Sequence, residues 1–433
     1  MDYQRAVQAY IWATPLVNSV GFKKALKEAG VSPTEPSLLV FDKRVGPKQI
    51  IMTANSEVIY AFSILDLAKT GPVVAEVPPG MPGGIWDIWE RGIEDIGIGR
   101  SARGGKFMML PPGSTQNVPA DFIPVRGRTN NVFFAARGIL KPGESTEPLV
   151  KLASSIKLYK LARQDRLTKV VLNGGKAFDS DWPKDARYFD YLAEGAKDEA
   201  IEPQDKLMYA MLEPLGIVPE QPFKPDDRQR KILARAAETG HAMVMNLAFA
   251  NRFPKSRVWA DRMWERSILT TTPNNETPTR IELDQRAQGW YQLVGNGVFL
   301  YSVKPVPGTG QWYGSTFRDK TGAFLNGTNI YKLRLASAPP AERFWSLTIY
   351  DNRTRSMIDT DQQLAGLSTY SNLKKNADGS IDLYFSPSAP TGFESNWVKT
   401  IPGQGFFAMF RLYNPLKPVF DGTWELNDIE PVK

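Results

Sequence analysis

A chain of 433 residues with no cysteine and a single histidine has neither disulfides nor cysteine–zinc clusters to staple it together. It must hold its fold by burying apolar surface. At this length two or more cores are expected, because a single core stops growing at roughly 250–300 residues. Hydrophobic residues make up 42% of the chain and aromatics 11%, enough to fill them. The 33 prolines and 35 glycines are spread along the sequence, which fits many short strands joined by turns. The same two counts narrow the chemistry. Thiol nucleophiles, paired-cysteine redox sites and multi-histidine metal sites are excluded, and His241 is the one candidate base for a serine–histidine–carboxylate triad.

The local patterns sort the chain into three parts. Apolar residues at Val7, Tyr10, Ile11 and Pro15 predict a short packing helix over Ala6–Leu16. From Gln49 to about Arg137 the pattern is strand-like: Val58–Leu65, Pro72–Val77, Lys106–Leu110 and Asn131–Ala135 are β-prone runs bounded by turn residues. Between Glu144 and Ile268 it becomes helical. Ile232/Leu233, Ala236/Ala237, Gly240, Met243/Val244 and Leu247/Ala248 recur every three to four residues, with Asp226-Asp227 at the start. Leu149, Leu152, Ile156 and Tyr159 mark a second helix. After Pro273 strands return at Phe344–Tyr350, Ile381–Phe385 and Phe406–Tyr413, with Trp345, Leu347 and Ile349 on one face. The fold expected is mainly β with a helical region (α+β): two antiparallel β-sandwich-like domains and an α-helical segment between them. The segments are 1–143, 144–272 and 273–433.

Charge says little about partners. The net charge of +7 comes from 53 basic against 46 acidic residues, with no block of like charges and no nucleic-acid-binding pattern. No run of about 18 apolar residues encodes a transmembrane helix, and the start Met1-Asp2-Tyr3-Gln4-Arg5 lacks the features of a signal peptide. No cofactor motif is present, and no EF-hand spacing suggests a metal. The partner expected is a small-molecule or carbohydrate ligand rather than nucleic acid, with a homo-oligomer left open.

Several strings carry a family resemblance. Asp2-Tyr3-Gln4-Arg5-Ala6-Val7, Thr53-Ala54-Asn55-Ser56-Glu57-Val58-Ile59-Tyr60 and Lys106-Phe107-Met108-Met109-Leu110-Pro111-Pro112-Gly113 resemble the bacterial domain-of-unknown-function family numbered 1254. Phe317-Arg318-Asp319-Lys320-Thr321-Gly322, Phe344-Trp345-Ser346-Leu347-Thr348-Ile349-Tyr350-Asp351, Glu394-Ser395-Asn396-Trp397 and Phe410-Arg411-Leu412-Tyr413 resemble the family numbered 1214. The resemblance implies two β-sandwich-like domains with an attached helical segment, in proteins often made with an export signal. An exported or periplasmic location follows from it. No activity and no catalytic residue come with it.

The residues themselves offer candidates, each with a plainer alternative. Asn55 and Glu57 stand just before a buried-looking strand, on the face of Ile59 and Ala61, with Tyr60 opposite. A carboxylate there can serve as acid or base, or pair with an arginine to hold a loop. Trp86, with Asp87, Trp89, Glu90, Arg91, Glu94 and Asp95, joins aromatics to paired acids as a sugar site does. A salt-bridged helix or an oligomer contact has the same composition. Arg411, flanked by Met409 and Tyr413 at two-residue spacing, sits on an apolar strand face. It either pairs with a carboxylate, Asp351 or Asp319, or clamps an anionic substrate group. Gly104-Gly105-Lys106 and Gly174-Gly175-Lys176 lack the rest of a phosphate loop and are expected to be turns.

Two functions are compatible with this. One is a cofactor-independent hydrolase or lyase acting on a small organic or carbohydrate substrate in a cleft between the β domains. Glu57 and Tyr60 would be catalytic there, with Asn55, Trp86 and Arg411 binding substrate. The other is a non-catalytic binding or structural protein of the cell envelope.

Overall fold

The computed structural model describes residues 1–433 except 98–102, 141–142, 167, 198, 220, 293–306, 309 and 433. Its helices are α1 (Asp2–Glu28), α2 (Leu67–Thr70), α3 (Glu147–Ser154), α4 (Tyr188–Lys197), α5 (Lys206–Leu212), α6 (Asp227–Phe249) and α7 (Leu283–Gln292). The α+β class expected from the sequence is the class observed, with several antiparallel sheets carrying most of the order.

The N-terminal sandwich has a six-stranded sheet, in the order Lys169–Leu172, Ser37–Val40, Val58–Asp66, Asn131–Ile139, Gly83–Asp87 and Gly92–Ile96. It packs on a four-stranded sheet of Lys157–Lys160, Val73–Val77, Gly105–Leu110 and Ile123–Arg126. Side-chain alternation decides what each face meets. Ile59, Ala61, Phe134 and Ala136 point into the core shared with Val73, Ala75, Phe107 and Met109. Tyr60, Phe62, Ile64 and Phe133 point the other way, where Phe62 and Phe133 meet Phe22 of α1. The C-terminal sandwich repeats the logic. A five-stranded sheet runs Glu265–Arg266, Gln311–Thr316, Phe406–Pro415, Ala341–Asp351 and Gly366–Ser368. Trp345, Leu347 and Ile349 join a core with Leu333, Leu383 and Phe385 of the second C-terminal sheet. The opposite face presents Phe344, Ser346, Arg411 and Tyr413 to the N-terminal half.

The helical body differs from the expectation in two respects. The first helix is longer than the expected Ala6–Leu16: α1 extends to Glu28 through Pro15 and is buried nearly all round. So apolar a helix needs partners on every side, and it packs against α4, α6 and α7 as well as the first sheet. The second difference is that the helix expected across Leu149–Tyr159 stops at Ser154. Lys157–Lys160 instead pairs antiparallel with Val73–Val77, which places Leu158 in the sandwich core. The long helix α6 begins where expected: Asp226 accepts from the Gln229 backbone N–H at 2.7 Å, and Gln229 returns the bond in a capping box. No helix among the described residues is long and apolar enough to cross a membrane.

The α1–α6 crossing depends on Gly240. A Cβ there would lie 2.6 Å from Cβ and Cγ of Tyr10. Alanine ordinarily favours a helix by about 1 kcal/mol over glycine, but here it overpacks the root of a buried ring. We expect Gly240→Ala to destabilise the protein by about 1–3 kcal/mol in urea unfolding. A stabilised variant would show that the helices can separate without loss.

Candidate functional site

The loop before strand Val58–Asp66 reaches out of the N-terminal sandwich and covers the face of the C-terminal sheet that carries Phe344, Ser346, Arg411 and Tyr413. Its pivot is Thr53, a β-branched residue at φ +49°. Such a conformation costs on the order of 1–3 kcal/mol and persists only when its surroundings impose it. Here they do. The Thr53 N–H donates to the Arg355 carbonyl at 2.7 Å, and its hydroxyl donates to the Gln292 carbonyl at 3.2 Å. Its carbonyl accepts from Nη2 of Arg411 at 2.6 Å. The next carbonyl, of Ala54, accepts from the Tyr350 hydroxyl at 2.6 Å. Asn55 then donates its backbone N–H to the Tyr60 hydroxyl (3.0 Å) and Nδ2 to the Tyr413 hydroxyl (2.6 Å).

Strand register brings the rest together. Tyr313, Arg411 and Ser346 lie abreast across three neighbouring strands, and Gln311, Tyr413 and Phe344 form the next rung. Facing them, Tyr60 and Arg137 are cross-strand partners in the first sheet. Arg137 donates to Gln311, and the Tyr313 hydroxyl donates to the same Gln311 oxygen at 2.8 Å. The Arg411 guanidinium lies 5.5 Å from the ring centres of both Tyr313 and Tyr350. Tyr413 stacks on Phe344 at 4.1 Å, and Phe344 on Tyr370 at 5.0 Å.

Counting donors shows what this arrangement lacks. The Tyr60 and Tyr413 hydroxyls each accept from Asn55, and among the described residues neither hydrogen has an acceptor. Burial pushes both hydroxyls above the ordinary phenol value, against the pull of Arg137 and Arg411, so they stay protonated donors at neutral pH. Arg411 is 3% exposed. It donates to the Thr53 carbonyl, to the Thr348 hydroxyl at 3.5 Å and to the Tyr350 hydroxyl; no carboxylate among the described residues pairs with it. A buried cation without an anion is costly. The guanidinium and the two hydroxyl hydrogens are donors of the kind that an acceptor-rich anion takes.

Residues 37–160 match the family model described as "Protein of unknown function (DUF1254)", and residues 310–417 match "Protein of unknown function (DUF1214)". The chain pairs the 1254 and 1214 families, in that order. Asn55, Tyr60 and Arg137 come from the 1254 match and Tyr313, Arg411 and Tyr413 from the 1214 match, so the junction draws on both. No curated protein matches the chain. Among solved structures, the VPA0106 protein of Vibrio parahaemolyticus is similar over 100% of both chains, at 21% identity and a TM-score of 0.59, a likeness of fold. An uncharacterised protein from Burkholderia cenocepacia aligns over 100% of this chain and 94% of its own, at 10% identity and a TM-score of 0.42.

Of the residues singled out in the sequence, the 1254–1214 junction brings together Asn55, Tyr60 and Arg411. Glu57 stands outside the strand, its carboxylate accepting from Nη1 of Arg44 at 2.8 Å. Trp86 lies on strand Gly83–Asp87 with its ring buried, 5.8 Å from Phe133. Its neighbours form a buried ionic cluster: Arg91 is 2.6 Å from Asp87 and also pairs with Glu202. Asp95 is pushed up to about 8 by burial and by Glu94. The carboxylates expected to pair with Arg411 are engaged elsewhere. Asp351 binds Arg353 at 2.8 Å, and Asp319 accepts from the Thr321 hydroxyl at 2.6 Å within its own turn. Gly104, Gly174 and Gly175 have positive φ, as turn glycines do.

The sequence patterns do not single out Thr53, Arg137 or Tyr313, and Tyr413 stands in them only as a flank of Arg411. Arg137 could have been found by extending the Asn131–Ala135 alternation two residues. For Thr53 and Tyr313 no local signal exists, because their roles arise from contacts between the two domains.

Proposed function

We propose that the protein binds a small organic acid at the junction of the 1254 and 1214 domains. Arg411 is the counter-charge, and the Tyr60 and Tyr413 hydroxyls are donors to the ligand's oxygens. The observation that carries this is the surplus of buried donors around Arg411 with no anion among the described residues to receive them. Charge-assisted hydrogen bonds from guanidinium and hydroxyl groups are the strong, directional kind that a carboxylate uses. A neutral sugar fits less well, since Trp86 lies in the core and offers no open stacking face.

The hydrolase or lyase version would use Glu57 as acid or base. It draws support from the position of Glu57 three residues before Tyr60, but the carboxylate is already ion-paired with Arg44. Binding is therefore the better-supported function. An exported location, with a role in the cell envelope, is supported by the family resemblance and is tested by fractionation.

Tyr413→Phe keeps the stack on Phe344 and removes one donor. It is expected to weaken binding of succinate or benzoate about tenfold by calorimetry, the effect of one hydrogen bond to a charged group. Equal affinity in the variant and the unaltered protein would remove Tyr413 from the site.

A further inference from the structure

A cationic cavity lies along one edge of the N-terminal sandwich, between the outermost strands of its two sheets. Strand Lys157–Lys160 ends the four-stranded sheet, and strand Lys169–Leu172 ends the six-stranded one. The connection between them starts with the 3₁₀ turn Leu161–Arg163. Thr168 closes it, its hydroxyl accepting from the Leu158 N–H at 2.6 Å and donating to the Leu158 carbonyl at 3.1 Å. We propose that this cavity binds a phosphate dianion, carried by a small soluble molecule or by a lipid headgroup, through Lys160, Arg163, Arg166 and Lys169.

The cavity measures about 260 Å³, and its lining includes those four cations, Glu35 and Tyr159. Pockets for drug-sized ligands run to roughly 300–1,000 Å³, so the group held here is small and any larger carrier lies outside. Four cations meet two carboxylates. Glu35 receives Lys160 Nζ at 2.9 Å and lies 3.8 Å from Arg166 Nη1, while Asp165 is 3.6 Å from Arg163 Nε. The two arginine separations exceed hydrogen-bond length. Among the described residues neither guanidinium makes a hydrogen bond, and Lys169 Nζ donates only to the Gly30 carbonyl, at 3.2 Å. Two uncommitted guanidinium forks beside two ammonium groups suit a tetrahedral oxyanion, since each fork can take two of its oxygens. The double negative charge matches the excess of cations.

Glu35 is the competitor already in place. The hydrogen bond from Lys160, with the charges of Lys160, Arg166 and Arg163, holds its carboxyl below the usual carboxylate range. Its side chain is 58% exposed, so it can turn outward into water. Its loop need not move, being fixed by the Glu35 N–H on Ser32 Oγ (3.2 Å) and the Ser32 N–H on Ser37 Oγ (2.8 Å). Glu35 is therefore a counter-ion that an incoming phosphate displaces. The cavity shares no residue with the junction around Arg411.

The test is calorimetry of the whole chain with inorganic pyrophosphate at pH 7 and about 0.15 M salt, where loose surface attraction is screened. One pyrophosphate should bind per chain. Arg166→Lys keeps the charge but loses the fork, and should weaken binding about tenfold, the effect of one hydrogen bond to a charged group. Glu35→Gln should tighten it about fivefold, the Coulomb effect of one charge at about 4 Å in water. Sedimentation with phosphatidic acid vesicles, against phosphatidylcholine vesicles, separates the two carriers. Pelleting that Arg166→Lys abolishes assigns the phosphate to a lipid headgroup, and pyrophosphate binding without pelleting assigns it to a soluble molecule. Equal affinity in Arg166→Lys and the unaltered protein, or no binding to either probe, would overturn the proposal and leave these side chains a salt-bridged surface.

Discussion

Replacing Arg411 with methionine is expected to weaken organic-acid binding about 100-fold while leaving the protein folded. Removing the buried charged partner of a bound anion costs on the order of 2–5 kcal/mol of affinity, because the ligand's carboxylate is then desolvated without compensation. The unliganded protein should respond much less. Thr53 loses a charge-assisted donor at 2.6 Å, on the order of 1.5–3 kcal/mol. Against that, a guanidinium buried without a carboxylate no longer has to be desolvated, and methionine fills similar volume between Tyr313 and Tyr350. Calorimetry on both proteins, with urea unfolding alongside, separates the two effects. An unchanged dissociation constant would mean that Arg411 serves only to hold the Thr53 loop.

Asp181→Asn should have the opposite profile, with a large loss of stability. Asp181 is the carboxylate that receives both the fully buried Arg355 and Lys184. Breaking a buried ion pair from one side costs on the order of 3–5 kcal/mol, because the remaining charge stays buried. The pH dependence gives an independent check. Burial alone would raise the Asp181 carboxyl, but Arg355 and Lys184 outweigh it and hold it below the usual carboxylate range. A depressed folded value means that its contribution is fully present above the unfolded value, about 3.9, and is lost as pH falls through the lower folded value. The acid limb of the stability curve should therefore flatten in Asp181→Asn. A variant within about 1 kcal/mol of the unaltered protein at pH 7 would show that Arg355 finds other acceptors.

How far the sequence reveals this arrangement can be judged residue by residue. The strand Val58–Asp66 and the strand Phe406–Pro415 were legible because β-prone residues run without interruption between turns. Helix α6 was legible from its apolar repeat and its acidic start. Helix α1 was underestimated, since Pro15 looks like a terminus although the chain continues helical to Glu28. At the site, Arg411 stood out because a charged residue on an apolar strand face needs a partner. The carboxylates proposed for it were wrong, as its strongest acceptor is a backbone carbonyl 358 residues away in sequence. No local pattern encodes which loop of one domain lands on which sheet of another. Asn55 and Tyr60 were singled out for their place before and within a buried strand. The contact of Asn55 with Tyr413 becomes visible only in the docked domains. For Glu57 the alternation gives no reliable face, because the strand begins one residue after it.

The central claim, an anion held between Arg411, Tyr60 and Tyr413, is tested most directly by placing a heavy-atom anion in a crystal. Crystals soaked in a brominated carboxylate such as 3-bromopropionate should show an anomalous peak at the domain junction, with the carboxylate within hydrogen-bond distance of the Arg411 guanidinium and the two hydroxyls. Peaks confined to surface lysines and arginines, with the junction unchanged, would contradict the account and make these residues the fastening between two domains.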